Sequence, residues 1–262
     1  MQKQRGMQKQ SGMQSGMQRQ RFSEACDKVI NIERAKGGIG TLGEKTLHAI
    51  LKYYIEPVAE NHEIRIGTFV ADIANEDGVI EIQTANFNKL RNKLERFLGE
   101  TTVTVVYPIA SIKWLVWLDH TTGECTKKRK SPKKGTPFQV FYELYKIKSL
   151  LTNEKLKLHI IMLDIEEYRL LNGWSEDKKK GSSRFERIPI GFIDEIRIDT
   201  LDDYWKLIPA GLALQFTAKD FKKASGLSLK NAQIALHVLH HLGAVKRVAK
   251  VGNSFVYEIK SL

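Results

Sequence analysis

The stretch from Val70 to Gln83 constrains this chain more than any other. Apolar residues flank Asp72, a turn follows at Glu76-Asp77-Gly78, and a second apolar run carries Glu81 and Gln83. Val79, Glu81 and Gln83 alternate with Ile80 and Ile82, the period of two that marks a β-strand. Such a strand sends Glu81 and Gln83 to one face and packs Ile80 and Ile82 into a core. Asp72 falls on the neighbouring strand, within reach of Glu81 across the hairpin. Two carboxylates and an amide at one edge of a sheet suit Mg²⁺-assisted phosphodiester hydrolysis. Hard oxygen ligands hold the ion, and the third group orients or polarises the attacking water. The plainer alternative is a hairpin whose polar residues simply face solvent.

The flanking segments favour the first reading. Leu42 to Ile55 has apolar residues at helical spacing, with Thr41 as N-cap and Pro57 just beyond its end. Glu44 falls in the first turn, where a carboxylate suits the positive end of the helix. Glu63 to Val70 reads as the strand leading into Asp72. After Gln83, helical spacing returns from Asn86 to Leu98 and Gly99 ends it. Thr102 to Tyr107 and Ile112 to Leu118 read as two further strands.

From Thr41 to Leu118 this order resembles the PD-(D/E)XK nuclease superfamily, the restriction-endonuclease-like fold. The resemblance implies an acidic residue on the first helix, matched by Glu44, and a metal-binding Asp, matched by Asp72. It implies an acid-x-Lys triplet on the next strand, matched by Glu81-Ile82-Gln83, with the Ile82 carbonyl as a further metal ligand. The cofactor implied is Mg²⁺ or Mn²⁺. Two departures stand out: Ala71 precedes Asp72 where the family has Pro, and Gln83 stands where it has Lys. Gln cannot supply a positive charge. Stabilising charge on a reacting phosphate would fall to the metal, or to Lys89 or Lys93 on the following helix.

With 42 Lys and Arg against 30 Asp and Glu, the chain carries a formal net charge of +12. That favours an anionic partner, DNA first. No apolar run approaches the length needed to span a bilayer, and nothing near Met1 resembles a signal peptide. Cys26 and Cys125 are the only cysteines, which makes no disulfide framework or zinc site and suits a reducing cytoplasm. The expected partner is DNA, not a membrane, and a homodimer is allowed. Six of the eight residues Lys127, Lys128, Arg129, Lys130, Ser131, Pro132, Lys133 and Lys134 are cationic, which reads as a loop that tracks a phosphate backbone. Lys178 to Arg184 is a second basic loop. Residues 1–22 repeat Met-Gln units without branched apolar side chains and are expected to be a disordered tail. Gly37 to Gly40 lacks the context of a nucleotide-binding loop.

Between the two basic loops, Pro137 to Leu151 reads as a helix and Lys157 to Leu163 as a strand, with His159 in the core. From Ile198 the character changes. Leu201 to Ala213 reads as a helix, and Thr217 to Gly226 as a second with a capping box from Thr217 and Asp220. Ser228 caps a third, from Leu229 to Leu242, and a hairpin turns at Gly252-Asn253. This order resembles a winged helix-turn-helix domain. The resemblance implies that Lys230, Asn231 and Gln233 at the start of the third helix read bases, while Lys246, Arg247 and Lys250 on the wing touch the backbone or minor groove. His237, His240 and His241 read as surface or packing residues.

The expected fold is therefore α/β. A restriction-endonuclease-like core at 23–197, with a mixed β-sheet flanked by helices, precedes a small winged-helix domain at 198–262. The expected function is Mg²⁺-dependent DNA cleavage, restriction-like or repair-like. Two rivals are a non-catalytic DNA-binding regulator on a degenerate nuclease core and a protein–protein adaptor.

Overall fold

A computed structural model describes residues 2–35, 46–119, 121–173 and 181–260. Glu44, Thr41 and the Gly37–Gly40 run lie outside the described residues, as do Lys178 to Lys180. By packing, the chain divides into two compact units, neither contiguous in sequence. One comprises Met1–His62, Ala110–Gly135 and Met162–Asp194, and the other Glu63–Ile109, Thr136–Ile161 and Glu195–Leu262.

The first unit begins with helix α1 (Gln2–Ala35) and helix α2 (Thr46–Ile55). The tract expected to be disordered is thus the first part of α1. Phe22, Ala25 and Val29 of α1 are buried at helical spacing, and the Phe22 ring lies 5.6 Å from that of Tyr54 on α2. Arg21 and Lys28 donate to the carbonyls of Ile55 and Pro57 at 2.8 and 3.0 Å. A packed segment supplies the costly helix nucleus, and Gln, Met, Lys and Arg extend it towards the N-terminus against a cost of about 1 kcal/mol at each of Gly6, Gly12 and Gly16. Composition reports whether a segment can bury a face of its own; it does not report whether it continues from one that does.

The strands are β1 (His62–Ile66), β2 (Phe69–Asn75), β3 (Gly78–Ile82), β4 (Val103–Asp119), β5 (Arg129–Lys130), β6 (Leu156–Leu171) and β7 (Ser182–Ile198). They join in the order β1-β2-β3-β4-β6-β7, with β5 pairing β4. β2 and β3 run antiparallel, with Ile73 opposite Ile80. β3 and β4 run parallel, with Glu81 opposite Val105. The sheet is therefore mixed, flanked by helices, and the protein is of the α/β class.

The turn at Asp77-Gly78 shows local chemistry setting register. The Asp77 N–H donates to Asn75 Oδ1 at 3.1 Å. Gly78 has φ +119°, and a Cβ there would lie 2.3 Å from the Thr102 carbonyl oxygen, so only glycine fits.

Several expected elements merge or shorten. The strands expected at 102–107 and 112–118 are one continuous strand, β4, running through Pro108. The strand expected at 157–163 extends to Leu171. The helix expected at 86–98 is a 3₁₀ turn, Phe87–Leu90, followed by helix α3 (Arg91–Leu98). That expected at 137–151 contains helix α4 (Phe141–Lys146) between two 3₁₀ turns.

The C-terminal segment forms within the second unit. The helix expected at 201–213 is instead a 3₁₀ turn, Asp202–Leu207. Pro209 lacks a donor N–H and Gly211 takes φ +79°, so a helix cannot continue through them. Strand β8 (Gln215–Thr217) leads to helix α5 (Ala218–Ser225), with the Thr217/Asp220 capping box in place. Helix α6 (Leu229–His241) is capped by Ser228. Strands β9 (Val245–Val251) and β10 (Ser254–Ile259) form the hairpin, and β8 pairs β10 to give the order β8-β10-β9. Ala232, Ala235, Leu236, Val238 and Leu239 are the buried stripe of α6. The Phe221 ring of α5 lies 6.5 Å from those of Phe138 and Phe141.

Candidate functional site

The hairpin register places the two carboxylates together. Continuing the Ile73–Ile80 pairing by one residue sets Asp72 opposite Glu81. Asp72 Oδ2 accepts the Ile82 N–H at 2.7 Å, which fixes its carboxylate against β3. Glu81 does not face solvent as an alternating edge strand would have it; it is 2% exposed. β3 has neighbours on both edges, and α3 sends Lys93 to the Glu81 carboxylate, with Nζ 2.6 Å from Oε2. The other oxygen, Oε1, is buried and has no hydrogen-bond partner.

These facts set the protonation of Glu81. Burial pushes its pKa up first and the Asp72 charge pushes it further, while Lys93 and then the backbone N–H of Asp72 pull it down; the balance leaves it at about 7. One lysine does not compensate a buried carboxylate that faces a second carboxylate. The site can accept one more positive charge.

Gln83 takes no part in this cluster. Its amide donates to the Ala85 carbonyl. The cation against Glu81 is Lys93, from the following helix. Lys89 is exposed and stands outside the cluster. Sequence reasoning missed Glu143, a buried carboxylate on α4. Its Oε2 accepts the Phe87 N–H at 2.8 Å, and Lys146 Nζ lies 2.9 Å from Oε1. Arg91 donates to Ser149 Oγ at 3.0 Å and to the Lys146 carbonyl. These bonds fasten the start of α3 and so set where Lys93 points. The available signal was a glutamate among Phe141 and Leu144, on the apolar face of its helix.

Among the described residues no three His, Cys, Asp or Glu side chains gather as a metal-binding group. The Asp72–Glu81 pair with its orphaned Oε1 still fits Mg²⁺. That ion commonly takes one or two carboxylates and completes its shell with waters and substrate phosphates.

The basic stretch 127–134 belongs to the other compact unit. It is not a free loop throughout, since Arg129 and Lys130 form β5, paired to Leu115 and Trp114. Lys128 is ion-paired with Glu166, and Lys128 and Lys130 stand 5.1 and 5.7 Å from the Trp114 ring centre. Lys127, Lys133 and Lys134 are exposed. The same unit holds a second carboxylate, Glu167, 1% exposed, with Lys113, Arg169 and Arg184 at 3.0, 3.0 and 3.5 Å.

In the C-terminal segment Lys230 and Gln233 are exposed and Asn231 half-buried at the start of α6. Lys246, Arg247 and Lys250 are exposed along β9, with Lys246 paired to Glu258 at 2.8 Å. His237 is held against Lys148, 3.4 Å away, and against the Tyr145 ring. Burial, then Lys148 and Arg247, lower its pKa.

The fold and the buried carboxylate pair define an α/β protein with a mixed sheet. By sequence the chain belongs to the family described as Domain of unknown function (DUF8091), whose model matches residues 45–199. That span holds Asp72, Glu81, Lys93 and Glu143, and the segment from α5 to β10 lies beyond it. The chain is similar to an uncharacterized protein of Treponema pallidum (strain Nichols), 33% identical over 150 residues. The match spans 57% of this chain and 57% of the length of that relative. No solved structure matches the chain. Among the described residues no helix is long and apolar enough to cross a membrane.

Proposed function

We propose that the chain is a divalent-metal-dependent DNA nuclease with a restriction-endonuclease-like core. The observation that carries this reading is Glu81: buried, beside Asp72, touched by Lys93, with one oxygen unpartnered. Structural glutamates at such burial are compensated; this one is poised to accept a cation. Asp72, Glu81 and the Ile82 carbonyl are the groups that would hold Mg²⁺ or Mn²⁺. When bound, such an ion neutralises phosphate charge and makes water more acidic. The Ile82 N–H keeps Asp72 oriented. Lys93 keeps Glu81 partly ionised, and its ammonium is the group at hand to stabilise charge on a phosphoryl oxygen. Gln83, tied to Ala85, has no such role here.

The C-terminal segment supports DNA binding in the same reading. A capped short helix, a turn, a longer helix and a basic hairpin resemble a winged helix-turn-helix. The first helix of that arrangement corresponds to α4, which packs on α6. Lys230, Asn231 and Gln233 remain the reading residues, and Lys127 to Lys134 the backbone-tracking ones. A cytoplasmic setting fits two free cysteines, the Cys26 thiol being pushed up to about 12 by burial and then by Asp27. One observation favours a second reading, a non-catalytic DNA-binding regulator. The Lys93–Glu81 pair partly neutralises the site without any metal.

The test is cleavage of supercoiled, linear and single-stranded DNA in Mg²⁺, Mn²⁺ or EDTA. The chain should cut only with metal, and Asp72→Ala should lower the rate by about three orders of magnitude while DNA affinity holds. Binding without cleavage under every condition selects the regulator.

A further inference from the structure

The hairpin β9–β10 carries a feature that neither the carboxylate site nor phosphate contact uses. Phe255 is 40% exposed on β10. The Arg247 guanidinium stands 4.2 Å from its ring centre, and Lys250 Nζ, on the residue paired to it, 5.8 Å. Phe255 lies beside Tyr257, 6.5 Å away, and Tyr257 is buried against Phe216. The apolar face of the hairpin thus runs past the end of its own core. Val251, at the same end, is 69% exposed.

Charge narrows what can cover this ring. From Arg247 to Val256 the chain has two cations and no acidic residue. The one carboxylate of β10, Glu258, is held by Lys246 and Gln215. An aromatic ring flanked by cations matches a nucleobase flanked by phosphates: the ring stacks on the base and the cations meet the backbone. A stacked base must be out of its pair. One ring and a valine are too little apolar surface to anchor a membrane unaided.

We propose that Phe255, with Arg247 and Lys250, is a stacking platform for an unpaired nucleobase, so that the chain prefers DNA where a duplex meets a single strand. This rests on the DNA-binding reading and names the substrate class.

The test uses the full chain in EDTA, where no cleavage is needed. Affinity is measured on a duplex, a single strand and a forked duplex with 2-aminopurine in its unpaired arm. The wild-type chain should bind the fork most tightly and quench the probe. Phe255→Ala should weaken fork and single-strand binding about tenfold, a loss within the range for one stacked base, and leave duplex binding within about twofold. Phe255→Trp should keep the preference and the quenching, and matched melting curves check that each variant folds. A Phe255→Ala chain that keeps the wild-type fork and single-strand affinity and the quenching, with duplex binding intact, overturns the platform alone. No binding to any DNA, or binding only to acidic peptides or anionic vesicles, overturns it together with the DNA-binding reading.

Discussion

Glu81 on β3 and Glu167 on β6 are both almost wholly buried, one in each compact unit, and their surroundings differ in sign. Glu81 has one lysine and a carboxylate neighbour, and its pKa rises to about 7. Glu167 also pays for burial, yet Lys113, Arg184 and Arg169 outweigh that and hold its carboxyl below the usual range. Its contact with Lys113 is an ion pair and not an aligned hydrogen bond. Burial of a carboxylate therefore does not define a site. The charge balance around it is what differs: Glu167 is over-compensated and ties β4, β6 and β7 together, whereas Glu81 and Asp72 share a single lysine.

The largest effect expected from this contrast is on stability. Glu167→Gln removes the centre of a cationic cluster and should cost about 3 kcal/mol, read as a shifted urea midpoint, while any cleavage rate of the folded fraction stays unchanged. A Glu167→Gln chain as stable as wild type would show the cluster to be ornamental.

Glu81 should behave oppositely with pH. Its folded pKa lies above its ordinary 4.5, so between there and about 7 the folded state holds the proton more tightly than the unfolded chain. Stability then falls as pH rises through that window, by an amount on the order of 3 kcal/mol at most. Glu81→Gln should remove this decline, so the variant gains on wild type from pH 5 to pH 8 in metal-free melts. Mg²⁺ should restore the wild type at pH 8 and do little for Glu81→Gln, since only the ionised carboxylate binds it. Parallel stability–pH curves for the two proteins would mean that Glu81 is already compensated, like Glu167.

A smaller effect is expected at Lys93. Lys93→Ala should slow cleavage by roughly ten- to a hundredfold and raise the Glu81 pKa further, visible as a shift of the pH–rate profile to higher pH. Lys93→Arg should recover part of both. Smallest of all is Gln83→Ala, expected within about threefold of wild type because the side chain bonds Ala85 and not the carboxylates. A loss at Gln83 as large as at Lys93 would return the role to the strand residue.

How much of this was legible beforehand follows from the range of each interaction. The Asp72–Glu81 pair could be read because a hairpin with an Asx turn and an obligatory glycine fixes register within a dozen residues. The Thr217 box, the Ser228 cap and the Gly252 turn are local in the same way. The separation of Gln83 from the site, the arrival of Lys93 and the role of Glu143 could not be read in this way. The last two depend on contacts between residues 12 and 56 positions apart, whereas Gln83 is turned aside by a bond only two residues away that no sequence pattern marks.

By itself, then, the sequence determined the β2–β3 hairpin and its register, the capped helices α5 and α6, the turns and the cationic excess, because each depends on nearest neighbours or on composition alone. Tertiary structure decided which glutamate is compensated and which is not. It also drew 2–21 into α1 and joined two short strands into β4. The reason is common to all of these: the free energy of a buried charge, or of extending a helix from a packed nucleus, is set by what is packed against it, and those partners come from distant parts of the chain.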